Sequence, residues 1–388
     1  MLSFALKSMA TRKAKLIMTA LSVVISASVA LLAYNISTQV SEGIVNTAAK
    51  YDIIIGPSGS ATQLAMNTMF FTDKPLGTLP YSIIDELNAS GRVNAAIPFS
   101  MGDSFNAAPI VGTDPALLSD KALARGEMFS APLEAVVGAD VARAYKVSVG
   151  DEIVTSHGLT HGGAAHAEHP LRVVGVLRRT DTAYDNAVFT PVSSIWALHD
   201  HGDGDEDEDH AGSGDICAVL VRSRSMNDYA ALMSRYSDSA EYLAINPNTV
   251  LREVMDNVDL SRRIVYILCL VILVMNLFVV SVIALLNMYD SRREIALMRL
   301  IGVSMGKINR LYLIQNALAG LCAMALSLTV THLCLWGIRG FVASMGIVLN
   351  AARIYPLEWA ILLVIFLLTI LPTAILTRRM SGKDSLTS

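Results

Sequence analysis

Residues 291–304 read SRREIALMRLIGVS and stand between two of the longest apolar stretches in the chain. Ile264–Met288 precedes them and Leu311–Ile338 follows, and neither contains Asp, Glu, Lys or Arg. An uncharged run of about 20 residues is long enough to cross a bilayer core of about 30 Å. A short charged segment between two such runs has to reverse the chain at one membrane surface. Ile295, Met298 and Ile301 or Gly302 recur at helical spacing, which predicts a short helix with a narrow apolar stripe. Arg292, Arg293, Glu294 and Arg299 lie around the stripe, and Gly302 is placed to stop the helix. So short a helix is marginal alone in water, so its stripe needs a surface to cover it.

Working outward, two more apolar runs free of charge appear, Leu16–Ile36 and Trp359–Thr377. The expected fold class is therefore an α-helical membrane protein with four transmembrane helices and a large domain inserted between the first two. Composition agrees, with 53% hydrophobic and 16% charged residues against about 25% charged in ordinary soluble domains. The expected order is a terminal segment 1–15, spans 16–36 and 264–288 flanking an α+β domain 37–263, and a turn 289–310. Span 311–338, a loop 339–358, span 359–377 and a tail 378–388 complete it. A signal peptide ending at Ser28-Val29-Ala30 is the competing reading of the first run.

Basic residues orient the spans. Lys7, Arg12, Lys13 and Lys15 precede the first, Arg292, Arg293, Arg299, Lys307 and Arg310 fill the turn, and Arg378, Arg379 and Lys383 follow the fourth. All three sets are cytoplasmic if both termini are, which puts the inserted domain outside. That domain is acidic, with 30 acidic and 16 basic side chains over residues 37–263. Arg262 and Arg263 break the pattern. Ser22, Ser26 and Ala30 recur every four residues, a stripe of small side chains suited to close helix packing, including packing of one copy against another. Ala319 and Ala323 repeat the device. His332 is the only titratable side chain inside the four runs, cysteines and tyrosines aside, and four cysteines make no disulfide framework.

The inserted domain reads as mixed α+β. YDIIIGPSG is an apolar strand ended by turn residues; LEAVVGADVARAYKVSVGDEIVTSHG is strand, helix, turn at Gly150-Asp151, and strand. HPLRVVGVLRRTDTAYDNAVFTPVSSIWALH and DICAVLVRSRSMNDYAALMSRYS each supply strands and a helix. Two segments here, VVGADVARAYKVSVGDEI and RVVGVLRRTDTAYDNAVFTPVSSIW, resemble the extracytoplasmic core domain of MacB-like ABC transporter permeases. SRREIALMRLIGVSMGKINRLYLIQNALAG resembles the FtsX-like permease domain, expected over about residues 264–380.

That resemblance implies a non-catalytic permease subunit in a bacterial inner membrane, working as a homodimer or heterodimer with a separate ABC ATPase that binds ATP and Mg. The segment around residue 295 would then be a coupling helix seated in the ATPase, with Ile295 and Met298 as apolar knobs. Arg292, Arg293, Glu294 and Arg299 would clamp it, although Asp290-Ser291-Arg292 departs from the Glu-Arg pair usual in the family. The competing reading lays this helix on lipid headgroups. A P-loop needs G-x-x-x-x-G-K-[ST], and GVSMGKI at Gly302 has neither the spacing nor the hydroxyl. The machine would export or extract a substrate, with a periplasmic adaptor as a further partner class and no nucleic acid. A mechanotransmitter that controls an extracytoplasmic hydrolase or sensor is the alternative.

Seven of eight histidines fall between residues 157 and 210. His157, His161, His166 and His169 occupy HGLTHGGAAHAEH, and His199, His201 and His210 flank a run of Asp and Glu. Imidazole with carboxylate suits zinc and related divalent ions. Their spacing matches no closed zinc motif, so weak, exchangeable binding competes with a solvated acidic insertion.

Overall fold

The computed structural model describes residues 13–47, 51–158, 168–199, 214–237, 239–290, 292–343 and 348–384. They form two compact units: Met1–Thr38, Asp259–Ile338 and Asn350–Ser388 in one, Gln39–Val258 and Arg339–Leu349 in the other.

The apolar unit is built from long helices: α1 (Lys13–Thr47), α2 (Pro247–Asp290), the short α3 (Arg292–Leu300), α4 (Met305–Ala343) and α5 (Pro356–Asp384). Among the described residues, three helical stretches are long and apolar enough to span a bilayer: Ile17–Ile44, Pro247–Leu286 and Met305–Ala343. The count of four expected from the sequence is thus confirmed for three of the helices among the described residues. In α5 the apolar stretch runs over Pro356–Pro372 among the described residues. All four long helices nonetheless meet in one cluster: Val23, Val24 and Ala27 of α1, Val280 of α2, Ala323 of α4 and Ile365 of α5. Lipid is as apolar as these side chains, so contact here rests on close packing and hydrogen bonds rather than on the hydrophobic effect. The bonds are present. Ser22 Oγ donates to Asn276 Oδ1 at 2.5 Å, and Ser28 Oγ donates to the Ser327 carbonyl at 3.2 Å.

This packing takes up part of the Ser22–Ser26–Ala30 stripe. Ser22 is bonded to α2, and Ser26 and Ala30 are buried within this one chain. Ser22 itself stays half-buried.

The other unit is a mixed sheet with helices, in keeping with the α+β expectation. Its main strands are β1 (Ile53–Pro57), β2 (Val93–Phe105), β3 (Ala108–Thr113), β4 (Leu123–Gly126), β5 (Glu134–Val137), β6 (Leu171–Leu177), β7 (Val188–Pro191), β8 (Ala218–Ser223) and β9 (Tyr242–Ile245). They lie in the order β9-β1-β8-β2-β3-β7-β5-β6-β4. The β7–β3 and β5–β6 pairs are parallel and the other neighbours antiparallel. Both ends of this order are four-residue strands, and the β4 end carries a register irregularity between Leu123 and Arg125.

Why β1 reads as an unbroken apolar run is plain from its packing. Ile53 and Ile55 point into one cluster with Leu79, Ile83, Leu87 and Leu232, while Ile54 points into another with Leu64, Phe70 and Phe99. A strand covered on both faces has no solvent side to make polar. The two segments that carried the family resemblance form one knot. Gly138, after β5, approaches the Asp185 and Tyr184 carbonyls so closely that an added Cβ would sit 2.4 Å from each oxygen. Asp185 is fully buried and accepts from Thr180 N, Thr180 Oγ1 and Asp181 N at 2.8–2.9 Å. Burial raises its pKa, and these donors partly offset that rise.

Candidate functional site at the charged turn

The chain leaves α2 at Asp290, makes α3 over Arg292–Leu300 and enters α4 at Met305. Gly302 ends α3 as expected. Its φ of +84° is a left-handed conformation that costs glycine little. Gly302 N–H donates to the Arg299 carbonyl and Val303 N–H to the Met298 carbonyl, each at 2.9 Å. That pair of bonds is a Schellman motif, which satisfies carbonyls the helix end would leave bare. The Ser304 carbonyl then accepts from Lys307 N and Ile308 N, opening α4 within two residues. The turn is thus stiff, with hydrogen bonds at both ends.

The apolar stripe divides. Ile295 is only 8% exposed and is buried within the chain, and Met298 is half-buried. Leu297, Leu300 and Ile301 are 62%, 82% and 79% exposed. At 100° per residue, positions 297, 300 and 301 cluster on the side of the helix opposite 295. The sequence reading identified Ile295 as an outward knob; the structure seats it inward and turns out a second apolar face that the 295–298 spacing concealed. Both Leu297 and Leu300 were visible in the sequence, but a stripe alone does not say which of two apolar sides the rest of the chain will claim. Arg299, Lys307 and Arg310 are exposed around the turn. The side chains of Arg292, Arg293 and Glu294 lie outside the described residues.

The histidine cluster is only partly described. His161, His166, His201 and His210 lie outside the described residues, as does the side chain of His199. His157 sits on a two-residue strand paired with β2, its Nδ1 3.2 Å from Oδ1 of the buried Asp103. Among the described residues no three His, Cys, Asp or Glu side chains gather as metal ligands.

Comparison with known families follows this division of the chain. Residues 16–238 match the MacB-like periplasmic core domain, and residues 263–384 match the FtsX-like permease C-terminal domain. The chain belongs to the MacB-like/FtsX-like permease family. The boundary near residue 263 falls on α2, where the α+β unit gives way to apolar helix. No curated protein matches the chain. MacB-like/FtsX-like permeases are membrane components of ABC transporters, generally non-catalytic in themselves, and membership implies an ABC ATPase as partner. Family and apolar helices together make this a multi-pass membrane protein.

Proposed function

We propose that this chain is the permease subunit of an inner-membrane ABC transporter whose separate ATPase grips α3, so that ATP hydrolysis drives movement of the α+β unit outside the cell membrane. Export or extraction of a substrate is the output. The observation that carries this reading is the face of Leu297, Leu300 and Ile301. Two large apolar side chains of a nine-residue helix and a third just past its end stand exposed, the helix end is fixed by hydrogen bonds, and Arg299, Lys307 and Arg310 border the face. Such a helix fits an apolar groove with an acidic border, the helix-in-groove mode of recognition. Ile295 serves as the root that fixes α3 to its own chain.

The test is capture of the detergent-solubilised protein from its native cells, with the bound ATPase recognised by a P-loop peptide in mass spectrometry. The double variant Leu300→Asp/Ile301→Asp is expected to lose the ATPase while still fractionating with membranes. Retention of the ATPase at the wild-type level would sink the proposal and favour a helix resting on lipid. Met298→Asp, at a half-buried position, is expected to weaken capture less.

Mechanotransmission is the second reading, supported by where the polar groups of the helices go. Ser22, Ser28, Asn276 and Thr331 bond other residues of the bundle, an economy that suits a moving bundle better than a water-filled path. Reconstituted complex separates the two. Transport predicts ATP-driven substrate release, whereas transmission predicts activation of an outer partner with no release. Zinc binding by the histidine loops is a further expectation, checked by calorimetric titration of zinc into the whole protein; absence of heat below millimolar zinc would end it.

A further inference from the structure

Two titratable side chains meet inside the apolar unit. His332 lies on α4, and Glu358 lies in the first turn of α5, where its side chain is 0% exposed. Glu358 Oε1 accepts from the backbone N–H of Tyr355 at 2.9 Å. This is one arm of a capping box, with Pro356 at the first helical position. The other carboxylate oxygen, Oε2, lies 3.5 Å from His332 Nε2. On the far side of the imidazole, Nδ1 lies 2.8 Å from the carbonyl oxygen of Ala351.

These contacts fix where protons are. A carbonyl oxygen only accepts, so His332 Nδ1 must be the donor in the 2.8 Å contact. In a neutral imidazole that leaves the lone pair on Nε2, aimed at a carboxylate oxygen that also has only lone pairs to offer. Two buried acceptors facing each other repel, and neither atom has another hydrogen-bond partner among the described residues. One additional proton removes the conflict, either as imidazolium against carboxylate or as imidazole against carboxylic acid. We infer that His332 and Glu358 form a one-proton site, and that this proton latches α4 to the Ala351–Tyr355 connection and the start of α5. The inference goes beyond the transport reading and does not depend on it.

Tyr34 of α1 stands edge-on to Tyr355 with ring centroids 5.8 Å apart, and the Arg353 guanidinium lies 4.8 Å over the Tyr355 ring. Between pH 5 and 8 histidine is the side chain that ordinarily changes charge, while phenols and guanidinium do not. A divalent ion would also relieve two facing lone pairs, but the described side chains bring no third ligand to this corner.

The experiment compares wild type with Glu358→Gln in lipid nanodiscs, reading the apparent melting temperature at one scan rate from pH 5.5 to 9. The side-chain amide of the Glu358→Gln variant can accept from Tyr355 N–H and donate permanently to His332 Nε2, so it supplies the hydrogen without titrating. On this inference the wild-type latch depends on a proton that solvent supplies less readily as pH rises, whereas the amide hydrogen of the variant is always present. The wild-type melting temperature should therefore fall relative to Glu358→Gln, by about 5 °C across the range. Parallel curves overturn the inference, as does a rise on adding zinc that Glu358→Gln abolishes. If the variant fails to fold, nitrogen NMR of wild-type His332 at pH 6 decides. A proton on Nδ1 supports the site, and a neutral ring protonated only on Nε2 refutes it.

Discussion

Gly302 shows how much one residue decides at this turn. Nothing lies within 4 Å of where its Cβ would be, so only the backbone, at φ +84°, calls for glycine. Gly302→Ala is expected to cost about 1–2 kcal/mol through the left-handed conformation alone, and Gly302→Asn less. Thermal melting of the two variants in one detergent checks the order. Cys217 is a second residue with a clear expectation. It is buried and free, and burial pushes its thiol pKa up, so a maleimide should label it only after unfolding. Glu134 is one source of pH dependence in the sheet unit. The N–H groups of Ser130 and Ala131 hold its pKa below the usual carboxylate value, so its contribution is present at neutral pH and lost as pH falls through that lowered value. Glu134→Gln should flatten the acid limb of the melting curve. At this scale Gly302 was legible because helix stops have a chemical signature. Glu358 was not, because an acid in a first helical turn reads as an ordinary partner of the helix dipole. Only the fold brings His332 to it.

Among elements, the strands buried on both faces were the easiest to read. YDIIIGPSG and DICAVLVRS are continuous apolar runs, and they became β1 and β8. The longest strand, β2, escaped because Pro98, Gly102 and Asp103 interrupt its pattern. Its neighbours excuse each interruption. The Pro98 carbonyl accepts from Thr113 Oγ1 at 2.8 Å, the Gly102 carbonyl accepts from Gly158 N–H, and Asp103 lies against His157. Long-range partners of this kind are invisible to local periodicity. The knot between β5 and the Thr180–Asp185 loop supports the sharpest prediction at this scale. Gly138→Ala places a carbon 2.4 Å from two backbone oxygens, which main-chain movement alone can relieve. A loss of roughly 1–3 kcal/mol or more is expected, measured by denaturant unfolding followed on the sheet unit's circular dichroism. A variant as stable as wild type would mean that the approach is not this close.

For the whole molecule, the division into an apolar helical unit and an acidic α+β unit was readable from charge and hydropathy alone, because a bilayer tolerates so few exceptions. The number of spans was less secure. The proposed orientation rests on Lys and Arg near the ends of the spans, and it predicts that an impermeant amine reagent offered to intact cells modifies Lys121 of the sheet unit but not Lys307 of the turn. Equal modification of both would overturn the assignment, and modification of Lys307 alone would reverse it. The neutral-looking net charge of −4 concealed this asymmetry.

The short ends of the sheet have a consequence for life in a crowded compartment. An open sheet invites neighbours to add strands to it. Here one boundary is four residues long, irregular in register and furnished with Arg125, and the other gives way two residues later to a helix beginning at Pro247. Neither offers a template long or flat enough to recruit stray polypeptide, so many copies can be held at high surface density without seeding aggregates.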